Sequence, residues 1–307
     1  MTKRLYKIRN INCQYPKSKN VVLEISELDI YQNEIVFFLG ASGVGKSTIL
    51  ETLGLMSNTV SKNNFKTENE NRPEFIFDET NIKADFIDIW NSKFGHSSEK
   101  RLSKLRKEHF SFIFQQTNLF PHLTAYQNAN ITQIIQGKSN SDSTQITEKV
   151  FDEISLDFKN RKDTKITNVS GGQRQRIAFA RAISSVKDVL FADEPTGNLD
   201  WYNADNLIEK LKNNVLNNNS TAIIVSHDIN LAIKFASKIV VLNKKHDAAK
   251  NLYYGSIDNK CIFIKQDGIW KNDIEKKSSE EMELFLKETI KKQSDIFNNK
   301  TPLNENS

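Results

Sequence analysis

The chain of 307 residues carries 43 basic and 38 acidic side chains, a net charge of +5, and 38% of its residues are hydrophobic. These proportions are typical of a globular protein, and the interspersed charges argue against a dedicated nucleic-acid binder, which would concentrate its basic residues. No apolar stretch is long enough to span a bilayer, and the N-terminus lacks an apolar signal core, so we expect a cytoplasmic protein. Cys13 and Cys261 lie far apart without ligand spacing, which favours buried or idle thiols.

The first part of the chain is predicted to be rich in β-strands. Alternating or continuous apolar runs predict three strands, LYKIRNI, VVLEISELDI and EIVFFLG, separated by polar segments. The third strand ends at Gly40, and a helix is expected from about Gly45. The polar residues 57–73 predict a mobile surface loop. Three elements are expected after this loop: a short strand at 75–77, an amphipathic helix at 97–109 and a buried strand at 110–114.

From residue 117 onward, the pattern becomes one of helices alternating with strands. Residues 117–165 are predicted to be helical, and Thr124 and Gln127 have the spacing of a capping box. The elements expected next are helices at 173–185, 201–217 and from 228, and strands at 188–192, 221–226 and 238–243. Such alternation predicts an α/β fold with a mostly parallel, covered central sheet. The first two strands and a tail hairpin of LYYG and CIFIK are predicted as antiparallel β additions.

The C-terminal section departs from this alternation. Ser278 and Glu281 again fit a capping box. Apolar side chains then line one face of an amphipathic helix: Met282, Phe285, Leu286 and Ile290. The last residues, NNKTPLNENS, are predicted to be disordered.

The stretch GASGVGKS at 40–47 fits the phosphate-binding pattern G-x-x-x-x-G-K-[ST]. Its glycines let backbone amides surround a phosphate, Lys46 can reach the β- and γ-phosphates, and Ser47 can ligate Mg²⁺. A chance glycine turn is disfavoured, because a buried strand precedes the motif and a helix follows it. The sequence therefore predicts a nucleoside triphosphate site formed by Gly40, Ser42, Gly43, Gly45, Lys46, Ser47 and Thr48.

The segment DVLFADEP at 188–195 predicts the acidic half of such a site. Asp193 follows an apolar strand, and its carboxylate can hold Mg²⁺ through water at the carboxyl edge of the sheet. Glu194 points to the other side of the strand end, where a carboxylate suits a base or positioner for an attacking water. Two adjacent carboxylates are often only a solvated strand end, but a buried strand and a P-loop in the same chain favour the catalytic interpretation.

A second glycine turn, VSGGQRQR at 169–176, opens a helix. The unpaired amides at the start of this helix and the positive end of the helix dipole together favour the binding of an anion. The sequence thus contains two phosphate-type loops far apart. With the P-loop and ADEPTGNLD (192–200), this SGGQ segment resembles the ATP-binding subunit of an ABC transporter, over roughly residues 4–245.

The resemblance implies a P-loop NTPase fold of ABC type over residues 1–245, with a small helical subdomain at about 117–165. Residues 246–307 would be a C-terminal extension with a short β hairpin, an amphipathic helix and a disordered tail. The implied chemistry is ATP hydrolysis with Mg²⁺. The implied roles are adenine stacking by Tyr15, contact with Mg²⁺ and water by Gln115, a D-loop ending at Asp200, and contact with the γ-phosphate by His227.

Each implied role has a structural alternative. Tyr15 could equally well be a surface aromatic residue. Gln115 could be an ordinary polar residue at the end of a strand, and His227 could be a helix cap or a surface residue. The magnesium ligands implied are Ser47, Gln115 and Asp193.

The resemblance also explains the second glycine turn. In this family, the SGGQ segment of one protomer faces the P-loop of another, with ATP between them. The four residues implied to contact the partner's nucleotide are Ser170, Gly171, Gly172 and Gln173. The implied partner is a second copy of the chain, and ATP drives their association.

The form ADEPTGNLD and the run LSKLRKEHFSFIFQQTNLFPHLTAYQN resemble the lipoprotein-release, macrolide-export and cell-division branch of the family. This implies an integral membrane permease as partner, an export or mechanotransmission role, and a peripheral place on the inner face of the cell membrane. An importer ATPase, or an ABC ATPase acting on DNA or ribosomes, remains an alternative. Phe120, Leu123 and Tyr126 could receive a coupling helix of the permease or pack the helical subdomain.

Overall fold

The computed structural model describes residues 3–16, 18, 20–60, 73–78, 84–85, 95–185, 187–197 and 199–298. Most of the loop predicted at 57–73 lies outside the described residues, as does the predicted disordered tail from residue 299.

The described part of the chain forms fourteen strands and nine α-helices. The strands are β1 (Arg4–Cys13), β2 (Leu23–Tyr31), β3 (Ile35–Leu39), β4 (Glu74–Phe77), β5 (Ala84–Asp85), β6 (Phe110–Ile113), β7 (Val189–Asp193), β8 (Thr221–Val225), β9 (Lys238–Val241), β10 (Asn243–Asp247), β11 (Leu252–Ile257), β12 (Ile262–Gln266), β13 (Ile269–Lys271) and β14 (Lys276–Lys277). The helices are α1 (Lys46–Leu53), α2 (Gly95–His109), α3 (Ala125–Ile135), α4 (Asn140–Glu153), α5 (Phe158–Arg161), α6 (Gly171–Ile183), α7 (Trp201–Asn217), α8 (Ile229–Phe235) and α9 (Ser279–Asn298).

The chain divides into two compact units. The first comprises Met1–Lys3, Tyr31–Val36 and Asp88–Ser226, and the second comprises Arg4–Ile30, Phe37–Ile87 and His227–Ser307.

Three parallel strands form the centre of the first unit. β7 pairs with β6 on one side and with β8 on the other, so that Phe191 lies between Phe112 and Ile223. These strands are short and almost wholly apolar because helices cover parallel sheets on both faces. The helical subdomain of α3, α4 and α5 belongs to this unit, and its first helix begins at the predicted capping box of Thr124 and Gln127.

The second unit contains a six-stranded sheet with the order β10-β11-β2-β1-β4-β5. β1 and β4 run antiparallel, with Tyr6 opposite Phe77, and both rings are fully buried. β11 joins β2 in parallel, with Gly255 opposite Leu23. Complete burial of each aromatic side chain stabilises the fold by roughly 1.5–3 kcal/mol.

The C-terminal elements complete the second unit. β12 pairs antiparallel with β9 and β13, and Phe263 and Trp270 are fully buried. The amphipathic helix α9 buries Met282 and Leu286, and it begins at the predicted capping box, in which Ser278 Oγ accepts the amide hydrogen of Glu281.

The α/β prediction, with parallel central strands, antiparallel additions and a helical subdomain, is confirmed. The prediction that LYYG and CIFIK form one hairpin is wrong. LYYG belongs to β11 and pairs with β10 and β2, whereas CIFIK pairs with β9 and β13. Both cysteines are free and buried, as expected, and burial raises the pKa of each thiol to about 12.

Candidate functional site

The P-loop (Gly40–Ser47) connects β3 to α1 in the predicted strand–loop–helix order. Gly45, the N-cap of α1, has a φ of +100°, and Gly43 has a φ of +74°, conformations that other residues adopt only with strain. The Nζ of Lys46 donates to the carbonyl oxygens of Gly40 at 2.8 Å and Ala41 at 3.0 Å. An ammonium held by neutral carbonyls can exchange them for phosphate oxygens, because charge-assisted bonds are stronger.

Tyr15 lies beside α1 in the same unit. Its hydroxyl is 3.3 Å from Thr48 Oγ1 and donates to Glu51 Oε2 at 3.2 Å. Partial burial raises the pKa of the phenol, so the hydroxyl stays protonated. These bonds hold the ring next to the helix that follows the P-loop. The adenine-stacking role of Tyr15 stays a prediction.

His227 also belongs to the second unit. Its pKa is lowered by partial burial and by the positive charge of the P-loop lysine, Lys46. The helix cap at this point is the next residue, since Asp228 Oδ1 accepts the amide hydrogen of Leu231 at 3.0 Å. His227 itself is therefore not the cap, but it is exposed, so the alternative of a surface residue stays open and its contact with the γ-phosphate stays a prediction.

In the first unit, β7 carries Asp193 and Glu194 to its carboxyl end. Both are half-buried, and Glu194 has a φ of +45°, a left-handed conformation that is costly for a residue with a side chain. The amide of Glu194 donates to the carbonyl oxygen of Val225 at 2.9 Å, so β8 fixes this turn. Strained backbone of this kind is typical of functional positions.

The SGGQ segment caps α6 by a reciprocal pair of bonds. Ser170 Oγ accepts the amide hydrogen of Gln173 at 3.2 Å, and Gln173 Oε1 accepts that of Ser170 at 2.9 Å. The cap does not use the amides of Gly171 and Gly172, which are also first-turn donors. A Cβ atom on Gly171 would meet no atom within 4 Å, so this helix start is open.

Two buried polar residues of α6 were not predicted from the sequence. Gln175 donates to the carbonyl oxygen of Pro195, one residue after Glu194. Arg181, whose pKa is lowered by burial, donates to the carbonyl oxygens of Thr117 and Asn118, both at 2.9 Å. The sequence marks them only weakly. The one signal is that both polar residues occupy positions that the helical period places on the buried face of α6.

Gln115 and Asp200 are the remaining predicted residues of the first unit. Gln115 is exposed just beyond β6. Asp200 caps α7, accepting from the amide of Asn203 at 3.0 Å and from its Nδ2 at 2.6 Å. These backbone and side-chain hydrogen bonds lower the pKa of the Asp200 carboxyl. Asp200 thus has a structural role, and its predicted role in the D-loop stays untested. Asn198 of that loop lies outside the described residues.

A cavity of about 500 Å³ lies in the first unit and is named here the α3–α6 groove. Seven apolar side chains line it: Phe110, Phe112, Phe114, Phe120, Ile131, Ile135 and Ala182. Three basic residues, Arg106, Lys107 and Arg181, also line it. Phe120 and Tyr126 were each predicted either to receive a coupling helix of the permease or to pack the helical subdomain. Phe120 is half exposed in this groove, whereas the hydroxyl of Tyr126 is bonded to Thr144 of α4 at 2.7 Å.

The P-loop, the capped glycine helix and the strand ending in Asp193 define the class as an ABC-type cassette, a P-loop NTPase that binds and hydrolyses ATP. Residues 23–197 match the ABC transporter family. The chain belongs to this family.

Two known proteins that resemble the chain carry the names of transport ATPases. The macrolide export ATP-binding/permease protein of Mannheimia succiniciproducens is 29% identical over 275 residues, which are 88% of this chain and 39% of the relative. The chain therefore spans well under half of that relative. The lipoprotein-releasing system ATP-binding protein of Zymomonas mobilis is 30% identical over 222 residues, covering 72% of this chain and 84% of the relative.

A solved structure extends the comparison to three dimensions. It is a dimeric ATP-binding cassette in a post-hydrolysis state with ADP and Pi. Its sequence is 26% identical to this chain, and the superposition has a TM-score of 0.62. The alignment covers 77% of this chain and 93% of the solved cassette.

Proposed function

We propose that the chain acts as a homodimer that closes on ATP and drives a conformational change in a membrane partner. One observation carries this proposal: besides its P-loop, the chain has a second glycine helix start, at α6, whose capping box does not use the amides of Gly171 and Gly172. We assign these two amides to another acceptor. The dimeric arrangement of the solved cassette with ADP and Pi supports a second copy as the source of that acceptor.

The proposed switch follows from charge. ATP held by Lys46 would present its γ-phosphate to the α6 start of the partner, where the amides and the helix dipole favour negative charge. Hydrolysis and phosphate release would remove part of that attraction, so the dimer opens. A ligand that binds the closed state better than the open state shifts the population toward closure.

In this proposal, Glu194 orients or deprotonates the attacking water, Gln115 contacts that water, and His227 contacts the γ-phosphate. The donors assigned to Mg²⁺ are the Ser47 hydroxyl, the Gln115 side chain and the Asp193 carboxylate. All three supply oxygen, the donor that this ion prefers, so the residue types fit the metal. When bound, Mg²⁺ would neutralise charge that develops on the phosphates.

The α3–α6 groove is proposed as the docking site for the membrane partner. Its apolar lining suits the apolar face of a helical segment, and the exposed ammonium of Lys107 suits an acidic side chain on that segment. Arg181 also fixes the chain between Gln115 and the groove through the carbonyls of Thr117 and Asn118. Movement of the docked segment would thus reach Gln115.

No helix in the described part of the chain is long and apolar enough to cross a membrane. The relatives named as parts of export and release systems support a place on the inner face of the cell membrane, where an integral permease would hold the chain. The names of the relatives, macrolide export and lipoprotein release, favour export or mechanotransmission over import.

The partner can be identified by co-purification. Tagged Glu194→Gln protein, recovered with ATP from detergent-solubilised membranes, is expected to carry one integral membrane protein. Phe120→Glu, in the groove, should abolish that recovery, whereas Leu216→Glu, at an exposed apolar position on α7, should not. Recovery with ribosomes or DNA, or equal loss in both variants, would contradict the proposal.

A further inference from the structure

The P-loop is bonded to a residue near the C-terminal end of the described chain. Gln293 of α9 is only 6% exposed, and its Oε1 accepts the amide hydrogen of Ala41 at 3.2 Å. Its Nε2 donates to the carbonyl oxygen of Leu242 at 3.0 Å. The amide of Leu242 in turn donates to the carbonyl oxygen of Leu39, the last residue of β3 before the loop. Both polar ends of Gln293 are therefore used on backbone that surrounds the P-loop.

The contact falls on the peptide group that holds the P-loop lysine. The Ala41 amide hydrogen and the Gly40 carbonyl belong to one planar peptide unit. Gln293 binds the hydrogen end of that unit, and Lys46 donates to its oxygen end at 2.8 Å. Because the unit is rigid, a side chain that fixes one end fixes the direction of the other.

Strand β11, which like α9 follows the ATP-binding domain predicted for residues 1–245, also packs closely against the P-loop. A Cβ atom on Gly255 of β11 would lie 2.0 Å from the carbonyl oxygen of Val44, so only glycine allows β11 to approach the loop backbone this closely. The position of α9 is fixed as well, because its capping box and the buried side chains of Met282 and Leu286 hold it to the unit.

We infer that Gln293 is a positioning residue for ATP binding, and that it acts on Lys46 through the Gly40–Ala41 peptide. The family match ends at residue 197, so this support comes from a part of the chain outside it. The inference requires only that ATP binds at the P-loop. It does not depend on dimerisation or on a membrane partner, so its failure and theirs can be told apart.

The first test replaces the amide by an apolar side chain of similar length. In the full chain, Gln293→Met removes both hydrogen bonds and keeps the packing volume. We expect ATP affinity to fall about tenfold, the value of one ordinary hydrogen bond, in a calorimetric titration. The amide hydrogen of Ala41 should also exchange faster with solvent, while the amides of β1 keep their protection. Lys292→Ala, one residue away and exposed, is the matched control and should change neither quantity.

The second test distinguishes positioning from a general structural role. In Gln293→Glu, the ionised carboxylate can still accept from Ala41 but faces the Leu242 carbonyl with negative charge. A protonated carboxylic acid has the same donor and acceptor layout as the amide. ATP affinity of this variant, divided by that of the parent chain at each pH, should therefore recover as pH falls. Burial raises the pKa of a carboxyl, so recovery should begin above the usual range for glutamate.

The inference is overturned if Gln293→Met binds ATP as tightly as the parent chain, or if Lys292→Ala loses as much affinity. A flat pH profile of the affinity ratio in Gln293→Glu would also overturn it. That glutamate variant keeps the proposal testable even if the methionine variant fails to fold.

Discussion

Ser170 and Gln173 bond to each other twice at the start of α6, at 3.2 Å and 2.9 Å. This reciprocal cap fixes the helix start and does not use the amides of Gly171 and Gly172, which the proposal assigns to the partner's nucleotide. The arrangement separates two properties that a single substitution usually changes together, the stability of the helix and its affinity for a phosphate. It therefore allows the shared-site proposal to be tested without unfolding α6.

Gly171→Asp should abolish ATP-dependent dimerisation and spare ATP binding by the single chain. A side chain fits at this position, because a Cβ atom would meet nothing within 4 Å. The added carboxylate would oppose the partner's γ-phosphate, and because facing like charges cost several kcal/mol, it would weaken the dimer by about a hundredfold or more. Analytical ultracentrifugation with and without ATP measures this. Gly171→Asn is the neutral control of nearly the same size, and an equal loss in that variant would show that bulk, not charge, is responsible.

Lys46→Met should lower ATP affinity by about a hundredfold, because charge-assisted bonds to phosphate are lost. Fluorescent-nucleotide titration measures the change. Lys292→Met removes an exposed lysine of the same unit and should bind ATP normally. Unchanged affinity in Lys46→Met would place the nucleotide elsewhere.

The same substitution should raise the pKa of His227. Burial lowers this pKa first and the charge of Lys46 lowers it further, so removing that charge restores part of the shift. Because the folded pKa lies below the usual value of about 6.5, the unfolded chain binds protons first as pH falls. The contribution of His227 to folding stability is thus present above that value and lost as pH falls through the folded pKa. NMR titration of the His227 ring in both proteins measures the shift, and no upward movement would contradict an effect of the Lys46 charge on this imidazole.

Glu194→Gln should bind ATP, dimerise and hydrolyse slowly. Loss of a water-activating carboxylate lowers turnover by about a hundredfold or more. The amide is isosteric, and the left-handed turn of residue 194 should persist because Val225 holds it. Single-turnover hydrolysis gives the rate, and full turnover in the variant would remove Glu194 from the proposed mechanism.

Arg181→Met should destabilise the first unit. The buried guanidinium donates to two carbonyls, and leaving them unsatisfied costs about 2–3 kcal/mol of unfolding free energy. Urea unfolding measures the loss, with Arg101→Met on the exposed face of α2 as control. Equal stability of the two variants would mean that water replaces Arg181 at both carbonyls.

Local signals in the sequence predicted much of the fold. Capping boxes at Thr124 and Ser278 and the helix at 201–217 are formed by residues close in sequence, and all three are present. The P-loop lies in the predicted context for the same reason. The pairing of LYYG and CIFIK was wrong because each pairs with a neighbouring strand that the sequence analysis did not predict, β10 or β13, and with a strand far away in sequence, β2 or β9, which no local pattern marks. Gln293 and Ala41 are 252 positions apart, and no local pattern marks a hydrogen bond over that separation.

The central claim, that each ATP is held between two copies of this chain, is tested most directly by mixing two defective variants. Lys46→Met keeps an intact α6 start, and Gly171→Asp keeps an intact P-loop. Both are prepared in the Glu194→Gln background, and each is labelled with a different fluorophore. The account predicts that neither variant dimerises alone with ATP. In the mixture, the P-loop of Gly171→Asp and the α6 start of Lys46→Met form one intact site, so ATP-dependent energy transfer is expected with one nucleotide bound between each pair of chains. No energy transfer in the mixture, or dimerisation of Gly171→Asp alone, would contradict the shared site.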